Sequence, residues 1–217
     1  MLEMPDWVPL AQAVHHGDDH RAQIGTLLGR EKVITPELDG WYFGFEPSSP
    51  GIAPVWADTL LRHCVGHHLW ATGQLLEHCR KLSAEQLELS APGTRGSISM
   101  TLVHLVSSDR GYLSRLKRGG RMEHLETASV DTLSELWQGQ REGWLAYLAS
   151  GQDYEAAVEC SDGWYPAWIL ALQAIHHGNE HRTHAGTVML GHGLELPDLD
   201  VWAYADAEGV RRESAAG

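Results

Sequence analysis

Ala174-Ile-His-His-Gly-Asn-Glu-His-Arg-Thr-His184 is the stretch on which the reading of this 217-residue chain turns. His177 and His181 stand four residues apart. On a helix that spacing puts two imidazoles on one face, one turn above the other, as two ligands of one divalent metal require. His184 adds a third imidazole three residues on, along the same face. His-x-x-x-His alone is a weak signal. It gains weight here from a plausible third ligand elsewhere and from a second copy of the motif near the N-terminus.

That copy is part of an internal repeat. A shift of 161 residues superposes Pro5, Trp7, Gln12, Ala13, His15, His16, Gly17, His20, Arg21, Gly25 and Thr26 on Pro166, Trp168, Gln173, Ala174, His176, His177, Gly178, His181, Arg182, Gly186 and Thr187. Pro36, Leu38, Asp39 and Trp41 fall likewise on Pro197, Leu199, Asp200 and Trp202. The period is far too long for a solenoid. It describes the tail of one domain standing before a whole second copy. The breaker cluster Glu46-Pro-Ser-Ser-Pro-Gly51 marks the boundary. Three regions follow: a partial repeat over 1–50, the main domain over 51–206, and a tail over 207–217.

Apolar residues recur at helical spacing in four long segments. The first runs from Val55 to Leu82. The second is capped by Ser97 or Ser99 and ends at Gly119-Gly120. The third starts near Asp131 and reaches Ser150. The last carries Pro166 in its first turn and extends to about Leu190. Residues 119–130 form a connection, and Cys160-Ser-Asp-Gly163 reads as a turn. Strand-type alternation is almost absent, so the expected fold is an all-α four-helix bundle with an extra N-terminal helix. That extra helix, residues 5–29, should bury Trp7, Val14 and Leu27 or Leu28. It must lie outside the bundle or on a second chain, and a dimer contact, giving a homodimer, is the expectation.

The balance is acidic: 29 Asp and Glu against 16 Lys and Arg, a formal charge of -13. This argues against nucleic acid and against an anionic membrane surface as partners. Cys64, Cys79 and Cys160 form no CxxC pair and read as reduced thiols in a cytoplasmic protein. No apolar run reaches membrane length, and the N-terminus lacks the pattern of a signal peptide.

His104, in Leu102-Val-His-Leu-Val-Ser-Ser-Asp109, has two readings. It is either a core or boundary histidine bonded to a carbonyl, or the partner of His177 and His181 across the bundle. In the second case three neutral imidazoles with open positions suit Zn²⁺, Ni²⁺, Mn²⁺ or Fe²⁺. His63, His67 and His68 read as a partly exposed helix face. His16 and His20 lack a second-helix histidine in their own unit and read as a relic. Arg182 and Arg21 are expected to pair with acidic residues or cap carbonyls.

Residues 55–206 resemble the DinB-like (DinB/YfiT) superfamily of metal-binding four-helix bundles. Thr101-Leu-Val-His104-Leu-Val-Ser-Ser-Asp109-Arg-Gly-Tyr112-Leu is similar to its second-helix histidine segment, and His177-Gly-Asn-Glu-His181-Arg182 to its last-helix His-x-x-x-His-Arg. The resemblance implies a metal triad of His104, His177 and His181. It also implies up-down-down-up topology with a long connection between the second and third helices. Family members commonly have Gln where this chain has His184; the N-terminal copy keeps Gln23. His184 is therefore either a fourth ligand or a group behind the ligands.

Three functions fit. The first is a metal-dependent enzyme on small molecules; the resemblance implies a thiol-S-transferase, isomerase or hydrolase type, with a low-molecular-weight thiol as a candidate substrate, and its metal would lower the pKa of a bound thiol or water. The second is metal or ligand binding without turnover. The third is a dimerising interaction module with a degenerate site. A Ser-His-Asp hydrolase is not supported, because the chain has no Gly-x-Ser-x-Gly elbow.

Overall fold

Side-chain oxygens set the starts of several helices. Ser97 accepts from the backbone N–H of Met100 and Ser129 from that of Thr132. Asp200 does the same for Ala203, so each ends a loop by satisfying a donor the helix leaves free. The computed structural model describes residues 4–34, 54–119, 122, 124–161 and 163–210, with 54–58 by backbone only. Within these lie helices α1 (Trp7–Arg30), α2 (Pro54–Cys79), α3 (Ala84–Leu87), α4 (Ile98–Leu116), α5 (Val130–Ala149), α6 (Ala167–Gly191) and α7 (Val201–Ala207).

The four long segments of the sequence reading are α2, α4, α5 and α6. Helices α2 and α4 each pack against both α5 and α6, so α2 and α4 occupy one diagonal of the bundle. Leu75, Leu76, Leu102, Leu133, Ile169 and Leu170 fill its centre with Trp137 and Trp144, all essentially inaccessible. The Trp137 indole N–H donates to the Leu69 carbonyl at 3.1 Å, which lets a polar edge sit inside that core. Cys64, Cys79 and Cys160 form no disulfide; burial pushes Cys64 and Cys79 up to about 12, which leaves both unreactive near neutrality. Among the described residues no helix is long and apolar enough to cross a membrane.

Two small elements escaped the periodicity. Ser83 does not merely end the first long helix; it opens the one-turn α3 through a capping box with Gln86. The stretch read as polar with a turn is a two-stranded antiparallel hairpin, β1 (Ala157–Cys160) and β2 (Gly163–Pro166). Its turn falls where expected, since Cys160 pairs with Gly163. Strands this short carry too little alternation to register as a pattern.

Helix α1 lies on the outside of its own bundle, against α6, α2 and α7. Its buried residues are Val8, Ala11, Asp18 and Thr26, whereas Trp7 and Val14 are only half-buried and Leu27 is exposed. The expected apolar stripe is thus displaced, because a buried polar contact fixes the docking. Asn179 Nδ2 donates to Asp18 at 2.8 Å, and these two positions are equivalent in the repeat. His176 donates to Asp18 at 2.6 Å, and its counterpart His15 donates to Asn179 at 3.2 Å. Each copy therefore touches the other through the same positions, as in a two-fold interface. At the far end α1 closes on Gly93, whose φ of +82° and contact with the Thr26 carbonyl leave no room for a Cβ. The repeat positions Pro36, Leu38, Asp39 and Trp41 and the boundary at 46–51 lie outside the described residues.

Candidate metal centre

His104 comes from the second turn of α4; His177 and His181 sit one turn apart on α6, and these two helices pack together. Nε2 of His177 is 3.1 Å from Nε2 of His104 and 3.1 Å from Nε2 of His181. One ligand nitrogen from each of the three falls within 4.8 Å of the others. The core-histidine alternative for His104 is set aside, because its ring faces the pair. Two bonds of about 2.0–2.1 Å to nitrogens at such a spacing enclose an angle of about 100°, between octahedral and tetrahedral values.

The electrostatics keep these rings uncharged. Burial, with the Arg95 guanidinium and His124 beside it, brings His104 down to about 4. Burial and the neighbouring His104 bring His177 down to about 3, and burial with His177 pushes His181 further in the same direction. Three neutral imidazoles bring nitrogens to hydrogen-bonding distance of one another, and nitrogen donors of this kind suit borderline transition metals. The donor set therefore fits a divalent metal.

Behind the triad the chain is less complete. His181 Nδ1 is buried with no hydrogen-bond partner, and so is Nδ1 of His184, whose ring centre lies 5.4 Å from that of His181. His184 is not one of the converging three. Burial and the charge of Arg95 bring it down to about 4.

Two contributors were invisible in the sequence reading. His124, on the connection between α4 and α5, stacks on His104 at 5.6 Å and is hydrogen-bonded to Ser107. The backbone N–H of Leu125 also donates to Ser107, at 2.8 Å, which ties that loop to α4. Arg95, in the loop before α4, places a guanidinium nitrogen 3.4 Å from His104 Nδ1. Nothing but tertiary contact brings either residue to the site.

The histidines of α2 need a correction. His67 and His68 do not line a partly exposed face; both are buried, His68 completely. His68 Nε2–H donates to Asp109 at 3.0 Å, and the Trp144 indole N–H reaches the same carboxylate at 3.0 Å. Arg182 donates to Thr72 at 2.8 Å and to Asn179, and lies 3.1 Å from His68 Nδ1. A Cβ on Gly178 would collide with the His68 ring, so this approach of α2 to α6 demands glycine there. His67 bonds the Leu199 carbonyl at 2.7 Å, and His63 stacks flat on Trp7 at 3.8 Å. Asp109 is thus a structural anchor at the back of the site. A cleft of about 790 Å³ between α2, α5 and α7, lined by Trp70, Trp137, Arg141 and Tyr204, contains none of the triad.

Comparison with known proteins agrees with this architecture. A crystal structure of a DinB-like protein from Bacillus cereus ATCC 10987 superposes with a TM-score of 0.55 at 18% identity, covering 64% of this chain and 95% of that one. Curated proteins gave no match. The DinB superfamily profile matches residues 67–188, more than half the chain and all three triad histidines. The protein is a member of the DinB superfamily, and its all-α bundle is the fold of that group.

Proposed function

We propose that the protein is a divalent-metal-dependent enzyme acting on small molecules in the cytoplasm, of thiol-S-transferase, isomerase or hydrolase type. The observation that carries this reading is the convergence of three neutral Nε2 atoms from His104, His177 and His181. Zn²⁺, Ni²⁺, Mn²⁺ and Fe²⁺ all suit imidazole donors. A metal held there supplies Lewis acidity and a lowered pKa to a bound thiol or water. Arg95 puts a positive charge beside His104 and favours an anionic substrate group at that edge. His124, held by Ser107 and stacked on His104, stands where it can accept or return a proton.

A second reading, metal or ligand binding without turnover, draws on the engagement of Asp109. The nearby carboxylate of α4 is occupied by His68 and Trp144 and is not free to act as a base. Elemental analysis of protein purified without a metal-affinity tag tests both readings at once. One tightly held transition metal is expected, lost in His181→Ala with helical content retained; metal-free protein that binds none on titration would sink both. A panel of low-molecular-weight thiols with electrophilic acceptors then separates them. Turnover above that of His104→Ala supports the enzyme, and none supports simple binding.

A further inference from the structure

We propose that His16 and His20 on the outer face of α1 form a second transition-metal site, open to solvent and separate from the triad. Their Nε2 atoms lie 3.1 Å apart, with ring centres at 4.3 Å and planes at 78°. The corresponding values for His177 and His181 are 3.1 Å, 4.3 Å and 70°. The outer pair therefore holds the same chelating bite as the inner one, again an angle of about 100° for bonds of about 2.0–2.1 Å.

Chelation by Nε2 requires the proton on Nδ1, and at His20 an acceptor for that proton is in place. His20 Nδ1–H donates to the Gln23 carbonyl oxygen at 3.1 Å. The Gln23 amide donates in turn to Asp19 at 3.1 Å, and Asp19 accepts from the Thr183 hydroxyl of α6 at 2.6 Å. This relay from carboxylate through amide to imidazole fixes the tautomer, orients the ring and raises the basicity of the free nitrogen. It is anchored to the bundle, so it does not depend on a loose side chain. His181 of the inner pair has no such support, since its Nδ1 is unpartnered.

The reciprocal docking of α1 on α6 explains where the site faces. Leu10, Ala13, Ile24 and Leu27 are exposed, while their counterparts Ala171, Ala174, Ala185 and Val188 are buried in the bundle. The face that α6 turns inward is the face that α1 turns to solvent, and it carries the histidine pair with it. Two imidazoles with open positions take Zn²⁺, Ni²⁺, Co²⁺ or Cu²⁺ and leave the rest of the shell to water or an exchangeable ligand. Mg²⁺ and Ca²⁺, which need oxygen donors, are excluded. The proposal stands independently of whether the triad is catalytic.

The test is Zn²⁺ titration of the full, tag-free chain beside His16→Ala, His20→Ala and Gln23→Ala. Each histidine substitution is expected to remove one ion relative to the wild type. Gln23→Ala is expected to keep the stoichiometry and weaken that ion about tenfold. All three positions are exposed, so the circular dichroism should not change. Histidine variants that bind as many ions as the wild type, with unchanged affinity, overturn the proposal and leave the pair a relic.

Discussion

The molecule holds the same histidine pair twice, once inside the bundle on α6 and once outside it on α1. Ring geometry is nearly identical in the two, because it follows from four-residue spacing on a helix. Everything else differs. The inner pair meets a third imidazole from α4, and burial keeps it uncharged, bringing His177 down to about 3. The outer pair has an acceptor behind His20 and, among the described residues, no third protein ligand beside it. Local sequence sets the bite; the surrounding fold decides what it can hold. The repeat also separates two kinds of buried polar contact, the one that builds the bundle and the one that docks α1 on it.

The largest effect expected is on the bundle itself. Asp109→Ala removes the acceptor shared by His68 and Trp144 and leaves two buried donors unpaired. A loss of about 3–5 kcal/mol is expected in denaturant unfolding. A loss below about 1 kcal/mol would show that water or a rearranged core satisfies those donors, and the anchor role of Asp109 would fall.

Next comes the joint between the two copies. Asp18→Ala orphans the Asn179 amide and the His176 ring N–H, at a cost of about 1–3 kcal/mol. Amide exchange or limited proteolysis should show α1 opening while α4 and α6 stay protected. If α1 and α6 lose protection together, α1 is an integral part of the core and not a docked copy.

Acid probes the same joint. Burial pushes the Asp18 carboxyl up, but the hydrogen bond and charge of His176, with donors from Asn179 and Arg21, outweigh it and hold the group below its ordinary 3.8. A depressed carboxyl binds fewer protons folded than unfolded, so its contribution is complete above about 4 and disappears as pH falls through the folded value. Undocking of α1 should therefore begin below about pH 4, and Asp18→Asn should flatten that limb. An unchanged acid profile in that variant would assign the transition elsewhere.

How much of this could be read from residues follows the same divide. The four long helices were legible from their apolar period, reinforced at α4 by its N-cap residue Ser97. The triad was legible because spacing and family resemblance converge on His104, His177 and His181. The burial of His67 and His68 was not. A polar residue inside a core is determined by a distant partner, here Asp109 forty-one positions away and the Leu199 carbonyl one hundred and thirty-two away. His124 and Arg95 were missed for the same reason. The α1 stripe was misplaced because apolar periodicity ignores a buried carboxylate such as Asp18.

The smallest expected effect would make the inner pair resemble the outer one. Position 184 stands to His181 as position 23 stands to His20, three residues on along the same face. At 23 an amide carbonyl accepts the Nδ1 proton of His20 at 3.1 Å. At 184 an imidazole stands instead, and Nδ1 of both His181 and His184 is buried without a partner. His184→Gln supplies the missing acceptor and removes one orphaned atom. Zn²⁺ competition with a chromophoric chelator should then show triad binding tightened about threefold to tenfold. Stability should change by no more than about 1 kcal/mol, since one buried polar group replaces another. Weakening by more than about tenfold would mean that His184 reaches the metal after all, and that the inner site has four histidine ligands where the arrangement of Nε2 atoms places three.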